Sequence, residues 1–206
     1  MGMEYLQLAA FFLTALGTIA VAVLAIWGDK VRELLAGPKV SFFLRDQAAS
    51  FTYTGEQNKR AYWHIDVVNH RKWSPVKKIR LLLTGIEKKG ADGALYHQPL
   101  PVPVQLTWAH PQFHELSPTI VARDVCDLGY LEQGADRFVP SLYIVPNNFK
   151  GFVMKGEAVR LALSAYADNY ASASALVLEF AWDGEWGEDV TEMRRHLVIN
   201  QVQEGY

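Results

Sequence analysis

The stretch AVLAIWGDKVRELLAGPKV, residues 22–40, divides the chain into two parts that call for different solvents. Behind it, Tyr5 to Gly28 is a run of 24 residues without a charge, YLQLAAFFLTALGTIAVAVLAIWG. Within it, Lys30, Arg32 and Lys39 arrive in quick succession, and Gly37-Pro38 ends any helix.

At a rise of about 1.5 Å per residue, the uncharged run is long enough to cross a hydrocarbon core of about 30 Å. Tyr5 and Trp27 stand near its ends, where amphipathic rings favour the membrane interface. A cleaved signal peptide is the competing reading. It needs a basic leading region, and Met1 to Glu4 hold no Lys or Arg, although Ala20-Val21-Ala22 has the small-residue pattern of a cleavage site. Basic residues gather after the run (Lys30, Arg32, Lys39, Arg45), and positive charge stays in the cytoplasm. The expectation is a single-pass protein of the cell inner membrane. Residues 1–4 lie outside, 5–28 span the bilayer, 29–37 form a juxtamembrane helix and linker, and 38–206 form a cytosolic domain. Along the span, Ala10, Thr14, Thr18 and Ala22 recur every four residues with Gly17 alongside. Small residues on one helical face let two backbones approach, which predicts a homo-oligomer.

After Pro38 the hydrophobic pattern changes from helical to alternating. In RAYWHIDVVNH (60–70), Trp63, Ile65 and Val67 alternate with Tyr62, His64 and Asp66. In VKKIRLLLTGIE (76–87), Ile79, Leu81 and Leu83 share one face and Lys78 and Arg80 the other. KVSFFLRD, VPVQLTW, TIVARDV, SLYIV, VRLALSAYA and ALVLEFAW read as further strands, separated by turn-forming clusters such as KKGADG and EQGAD. EDVTEMRRHL alone in this part reads as a helix, with Asp189 as N-cap and Glu192 three residues on; HLVINQV comes next as a last strand. The predicted fold is mainly β: an N-terminal transmembrane helix, then an antiparallel β-sandwich with one short helix near the C-terminus.

IDVVNHRKWSPVKKIRLLLTG, with a strand ending in Val-Val-Asn, a polar turn and an alternating strand, resembles one hairpin of the immunoglobulin-like domains common in bacterial surface and membrane proteins. The layout of anchor, sandwich and acidic Trp-containing tail is similar to bacterial single-pass membrane proteins of unassigned function. The resemblance implies an immunoglobulin-like architecture and no active site. It lacks the inter-sheet disulfide of antibody domains, because the chain has one cysteine.

Composition narrows the function. A net charge of −2 and a pI near 6.3 argue against bulk nucleic-acid binding. The single thiol and the lack of any Asn-x-Ser/Thr sequon fit a reducing compartment. Cys126 sits between Asp124 and Asp127, which disfavour a thiolate. His110 and His114 have the spacing of two ligands on one helical face, but Pro111 lies between them and no third ligand can be named. No catalytic residue, metal site or cofactor is predicted, and an enzyme using Cys126 or His110/His114 is the alternative, as is a passive scaffold subunit. Trp182 and Trp186 bracket an acidic loop and form a candidate partner-binding patch.

The leading functional signal is charge. Nine of the 20 basic residues fall between 59 and 89, opposed there by Asp66 and Glu87. Two adjacent strands and their turn would present a basic face, with Arg71, Lys72, Lys77, Lys78 and Arg80 as candidate ligand- or lipid-binding residues. The expected function is a membrane-anchored binding or sensing module for an anionic lipid, a nucleotide or a protein partner. Helix clustering would make it an effector of a bacterial stress or phage-defence response.

Overall fold

The computed structural model describes residues 2–54, 58–109 and 116–202. Helix α1 (Gly2–Ala36) comes first, then strands β1 (Val40–Leu44), β2 (Ser50–Thr54), β3 (Asn58–Asn69), β4 (Arg80–Lys89), β5 (Leu95–His97) and β6 (Val104–Gln105). Next come β7 (Arg123–Glu132), β8 (Arg137–Pro140), β9 (Val153–Met154), β10 (Ala158–Ala167), β11 (Tyr170–Ala171) and β12 (Leu176–Trp182). Helix α2 (Val190–His196) and β13 (Leu197–Val202) end the described chain. The strands form two antiparallel sheets. One has the order β1-β3-β7-β8-β9 with β2 also on β3; the other has the order β13-β12-β10-β4-β5 with β11 on β10 and β6 on β4.

Alternation builds the core. Trp63, Ile65 and Val67 of β3 point inward and are fully buried, as are Ile79 just before β4 and Leu81 within it. Two register slips then decide which residues continue the inner face. Between β3 and β7 the pairing slips after Trp63, so Leu128 is an extra residue and turns inward. Between β4 and β10 it slips at Ala162/Leu163, and the inner face passes from Leu83 to Ile86. Gly129 stands opposite Trp63, where a Cβ would come within 2.3 Å of the Phe138 ring. That ring then packs 5.0 Å from Phe180, joining the two sheets, with Trp63 edge-on at 5.8 Å. Truncating an aromatic in such a place costs about 3–5 kcal/mol.

Three elements differ from the sequence reading. β3 and β4 belong to different sheets, so residues 70–79 cross between sheets and do not turn a hairpin. Alternation reports which face of a strand is apolar, and it carries no information on which sheet the strand joins. SLYIV contributes only an isolated bridge from Leu142 to Leu106, leaving Tyr143, Ile144 and Val145 exposed. VPVQLTW changes sheets: Leu106 N donates to Leu81 O at 2.9 Å, and Thr107 O accepts from Asp127 N of β7 at 2.9 Å.

The short helix α2 forms where expected. Asp189 Oδ1 accepts from Thr191 N and Glu192 N at 2.7 and 2.9 Å, while the Glu192 carboxylate accepts from Glu188 N at 3.0 Å. Helix α1 has the length and apolarity to cross a membrane over Ala9–Gly28, and none of that window is buried against the rest of the chain. Thr14 and Thr18 donate their hydroxyls to the carbonyls of Ala10 and Thr14, at 2.8 and 2.9 Å. Ala10, Thr14, Gly17, Thr18 and Ala22 thus share a face with no unsatisfied hydroxyl.

Candidate functional site

β3 is 12 residues long, roughly 36 Å from end to end. The nine cations of residues 59–89 therefore fall into two groups at opposite ends of the domain. At the end far from α1, Lys59 pairs with Glu188 at 2.8 Å, Arg60 with Glu132 at 2.9 Å, and Lys88 with Glu157, while the exposed Lys89 forms no ion pair among the described residues. The hydrogen bond to Glu188 holds the Lys59 ammonium above its usual range. At the end near α1, Lys72, Lys77 and Arg80 form no ion pair among the described residues, and Lys78 stands 3.7 Å from Asp168.

Residues 70–79 are tied to the exit of α1. Arg71 Nη1 donates to Gly37 O at 2.9 Å, and His70 N to Lys39 O at 2.8 Å. The buried Asn69 organises the start of this crossing. Its Nδ2 donates to the carbonyls of Arg71, Ser74 and Val121, and its Oδ1 accepts from Arg71 N at 3.0 Å. Ser74 N donates to Arg71 O at 2.9 Å, closing a turn with Lys72 and Trp73 at its tip. Lys72 is exposed, and Trp73 is 75% exposed.

The outer face of the first sheet carries a cluster that sequence reasoning missed. Asp66 is 2% exposed although it points away from the core, because Arg45 and Arg123 fold over it. Burial would push its carboxyl up. The hydrogen bonds and charges of Arg45 and then Arg123 outweigh that and hold it below the usual carboxylate range. Beside it, His64 Nδ1 and Asp127 Oδ1 are 2.9 Å apart. A half-open cleft of about 570 Å³ lies over this face, lined by Arg45, Ser50, Thr52, Tyr62, His64 and Asp127 among others. A His–Asp pair orients an imidazole for base catalysis only if a nucleophile reaches the ring. Among the described residues, neither Ser50 nor Thr52 hydrogen-bonds to His64.

The other candidates lose their chemistry on placement. Cys126 is fully buried, with Sγ donating to Thr107 O at 3.1 Å. Burial, then Asp127 and Asp124, push its thiol well above the ordinary value, the opposite of what a nucleophile needs. Trp182 is 4% exposed and donates Nε1 to Glu185 O at 3.0 Å; Trp186 is half-buried, edge-on to Phe51. Neither offers an exposed indole to a partner. Trp182 belongs to the core and Trp186 packs against its edge, because the acidic loop between them folds back on the β12 end. His110 and His114 lie outside the described residues. No cluster of three or more metal-ligating side chains occurs among the described residues. Searches of protein families and of curated proteins find no match to this chain.

Proposed function

We propose that this chain is a single-pass membrane protein with its N-terminus outside, whose cytoplasmic immunoglobulin-like domain binds an anionic or protein partner at the bilayer. The observation behind this reading is the contrast between the two cationic groups. Of the cations far from α1, Lys59, Arg60 and Lys88 are neutralised by glutamates and Lys89 is not, whereas Lys72, Lys77 and Arg80, at the end near α1, all lack a carboxylate at ion-pair distance among the described residues. Unpaired charge kept next to an anchor is charge available to something else. The small-residue face of α1 would gather several copies, so that binding and clustering reinforce each other through multivalency. An effector role in stress or phage defence is the form such coupling would take.

A thermal-shift screen of the full chain in detergent micelles tests the reading, using nucleotides, cyclic dinucleotides, inorganic phosphate and anionic lipid headgroups. A ligand at about 100 times its dissociation constant adds about 2.7 kcal/mol, a shift of several degrees. That shift should shrink in the variant Lys72→Glu/Lys77→Glu/Arg80→Glu. Shifts that are unchanged by charge reversal would remove the cationic end from the mechanism.

A second reading rests on the cleft. Its volume lies in the range of small-molecule sites, roughly 300–1,000 Å³, and hydroxyl, guanidinium and imidazole donors converge on it. On that reading, Arg45→Ala and His64→Ala would abolish the shift while the lysine variants leave it intact.

A further inference from the structure

We infer that the turn Arg71–Ser74 is a second membrane contact. Trp73 enters the headgroup layer of the leaflet from which α1 emerges, and Lys72, Lys77 and Lys78 meet anionic lipid. The inference rests on the reading of α1 as a membrane span and names the partner as the bilayer surface. A turn in water favours small polar residues at its tip, and this one presents Lys72 and an indole that is 75% exposed. The turn is also held in place: Asn69 donates to three carbonyls around it, and Arg71 fastens it to Gly37. One of those carbonyls belongs to Val121, itself 52% exposed, so a second apolar side chain is held next to the turn. Tryptophan flanked by lysine is the chemistry of the membrane interface, where the ring sits among headgroups and the ammonium meets phosphate.

Distances agree. Gly37 lies nine residues beyond Gly28, about 13 Å along a helix. The headgroup layer accounts for roughly 5–8 Å of that. The remaining gap is within one Debye length, about 8 Å at physiological ionic strength, so lipid charge acts on the turn. Tilt of the span and the length of the lysine and tryptophan side chains close it further. Docked in this way, the domain has two attachments and a fixed orientation, and its outer face and cleft are presented to the cytoplasm in one pose.

The test uses the full chain in lipid nanodiscs, in a Cys126→Ala background, with a fluorescent probe at Val121→Cys and a control probe at Lys155→Cys. Lys155 is exposed at the far end of the domain, against Glu185. Headgroup-nitroxide lipid should quench the Val121 probe and spare the Lys155 probe in discs containing phosphatidylglycerol. Quenching should fall at least twofold in phosphatidylcholine alone and in Trp73→Ser. Lys→Gln changes at Lys72, Lys77 and Lys78 should lower the docked-to-undocked ratio by about fivefold per residue. Equal quenching of the two probes, or quenching indifferent to Trp73 and to lipid charge, overturns the inference. Alkaline-carbonate extraction separates the two failures: a chain released from membranes defeats the span reading, whereas a retained chain with an unquenched Val121 probe defeats this inference alone.

Discussion

The two ends of the domain carry similar numbers of cations and pair them to different extents. Far from α1, Lys59, Arg60 and Lys88 each meet a glutamate and only Lys89 of the group does not, and α2 lies alongside with its Asp189 cap. Near α1, a buried asparagine holds a turn whose tip is Lys72 and Trp73. Lys72, Lys77 and Arg80 there lack carboxylate partners at ion-pair distance among the described residues, and Lys78 has only its loose contact with Asp168. A count of basic residues treats these ends alike. Pairing separates them: a neutralised cation stabilises its neighbourhood slightly, and an unpaired one keeps its charge for a partner.

The largest expected effect tests whether the end near α1 is built rigid. Asn69→Ala removes every hydrogen bond that its side chain makes from a buried position and should cost about 3 kcal/mol, lowering Tm by about 6–12 °C in the full chain. A loss near zero would mean that the turn is held by something else. Next comes the middle of β3. Asp66→Asn should cost about 2 kcal/mol, since two charge-assisted contacts weaken together. The sign with pH comes from its lowered folded pKa: the stabilisation is complete above the unfolded value of about 3.9 and is lost as pH falls through the lower folded value. Acid unfolding of the wild type should therefore steepen below about pH 4, and the variant should lack that component.

At the far end, Asp189→Ala removes the α2 cap and should cost about 1 kcal/mol in denaturant titration. The smallest effects are the most discriminating. Lys59→Gln and Arg60→Gln should each lower Tm only slightly, with the loss fading in high salt. Lys72→Gln and Lys77→Gln should leave stability within about 0.5 kcal/mol of the wild type and still weaken binding to anionic liposomes. Equal stability losses at the two ends would collapse the contrast.

Much of the architecture was legible in the chain. The alternation in 60–70 and in 76–87 identified Trp63, Ile65, Val67, Ile79, Leu81 and Leu83 as inward residues, and all are buried. The Asp189 and Glu192 pattern announced α2, and the uncharged run announced an apolar α1. Other features had no local signal. Nothing near Asp66 in sequence shows that it is buried, because the arginines that cover it arrive from positions 45 and 123. Trp182 and Trp186 looked available because they flank acids, yet the fold turns both toward the core. Trp73 had a weak signal, a tryptophan inside the polar turn Arg-Lys-Trp-Ser-Pro, and its meaning depends on lying next to Gly37.

Residue type and spacing determined by themselves that the chain has an apolar helix, a set of strands with defined inner faces, and a basic excess between 59 and 89. These come from periodicity and composition, which act over a few residues at a time. Only the tertiary structure decided that β3 and β4 part into different sheets, that the basic excess divides into a mostly paired end and a mostly unpaired end, and that the Trp73 turn meets the foot of α1. Those outcomes depend on contacts between segments far apart in the chain, and no local pattern encodes which distant partner will arrive.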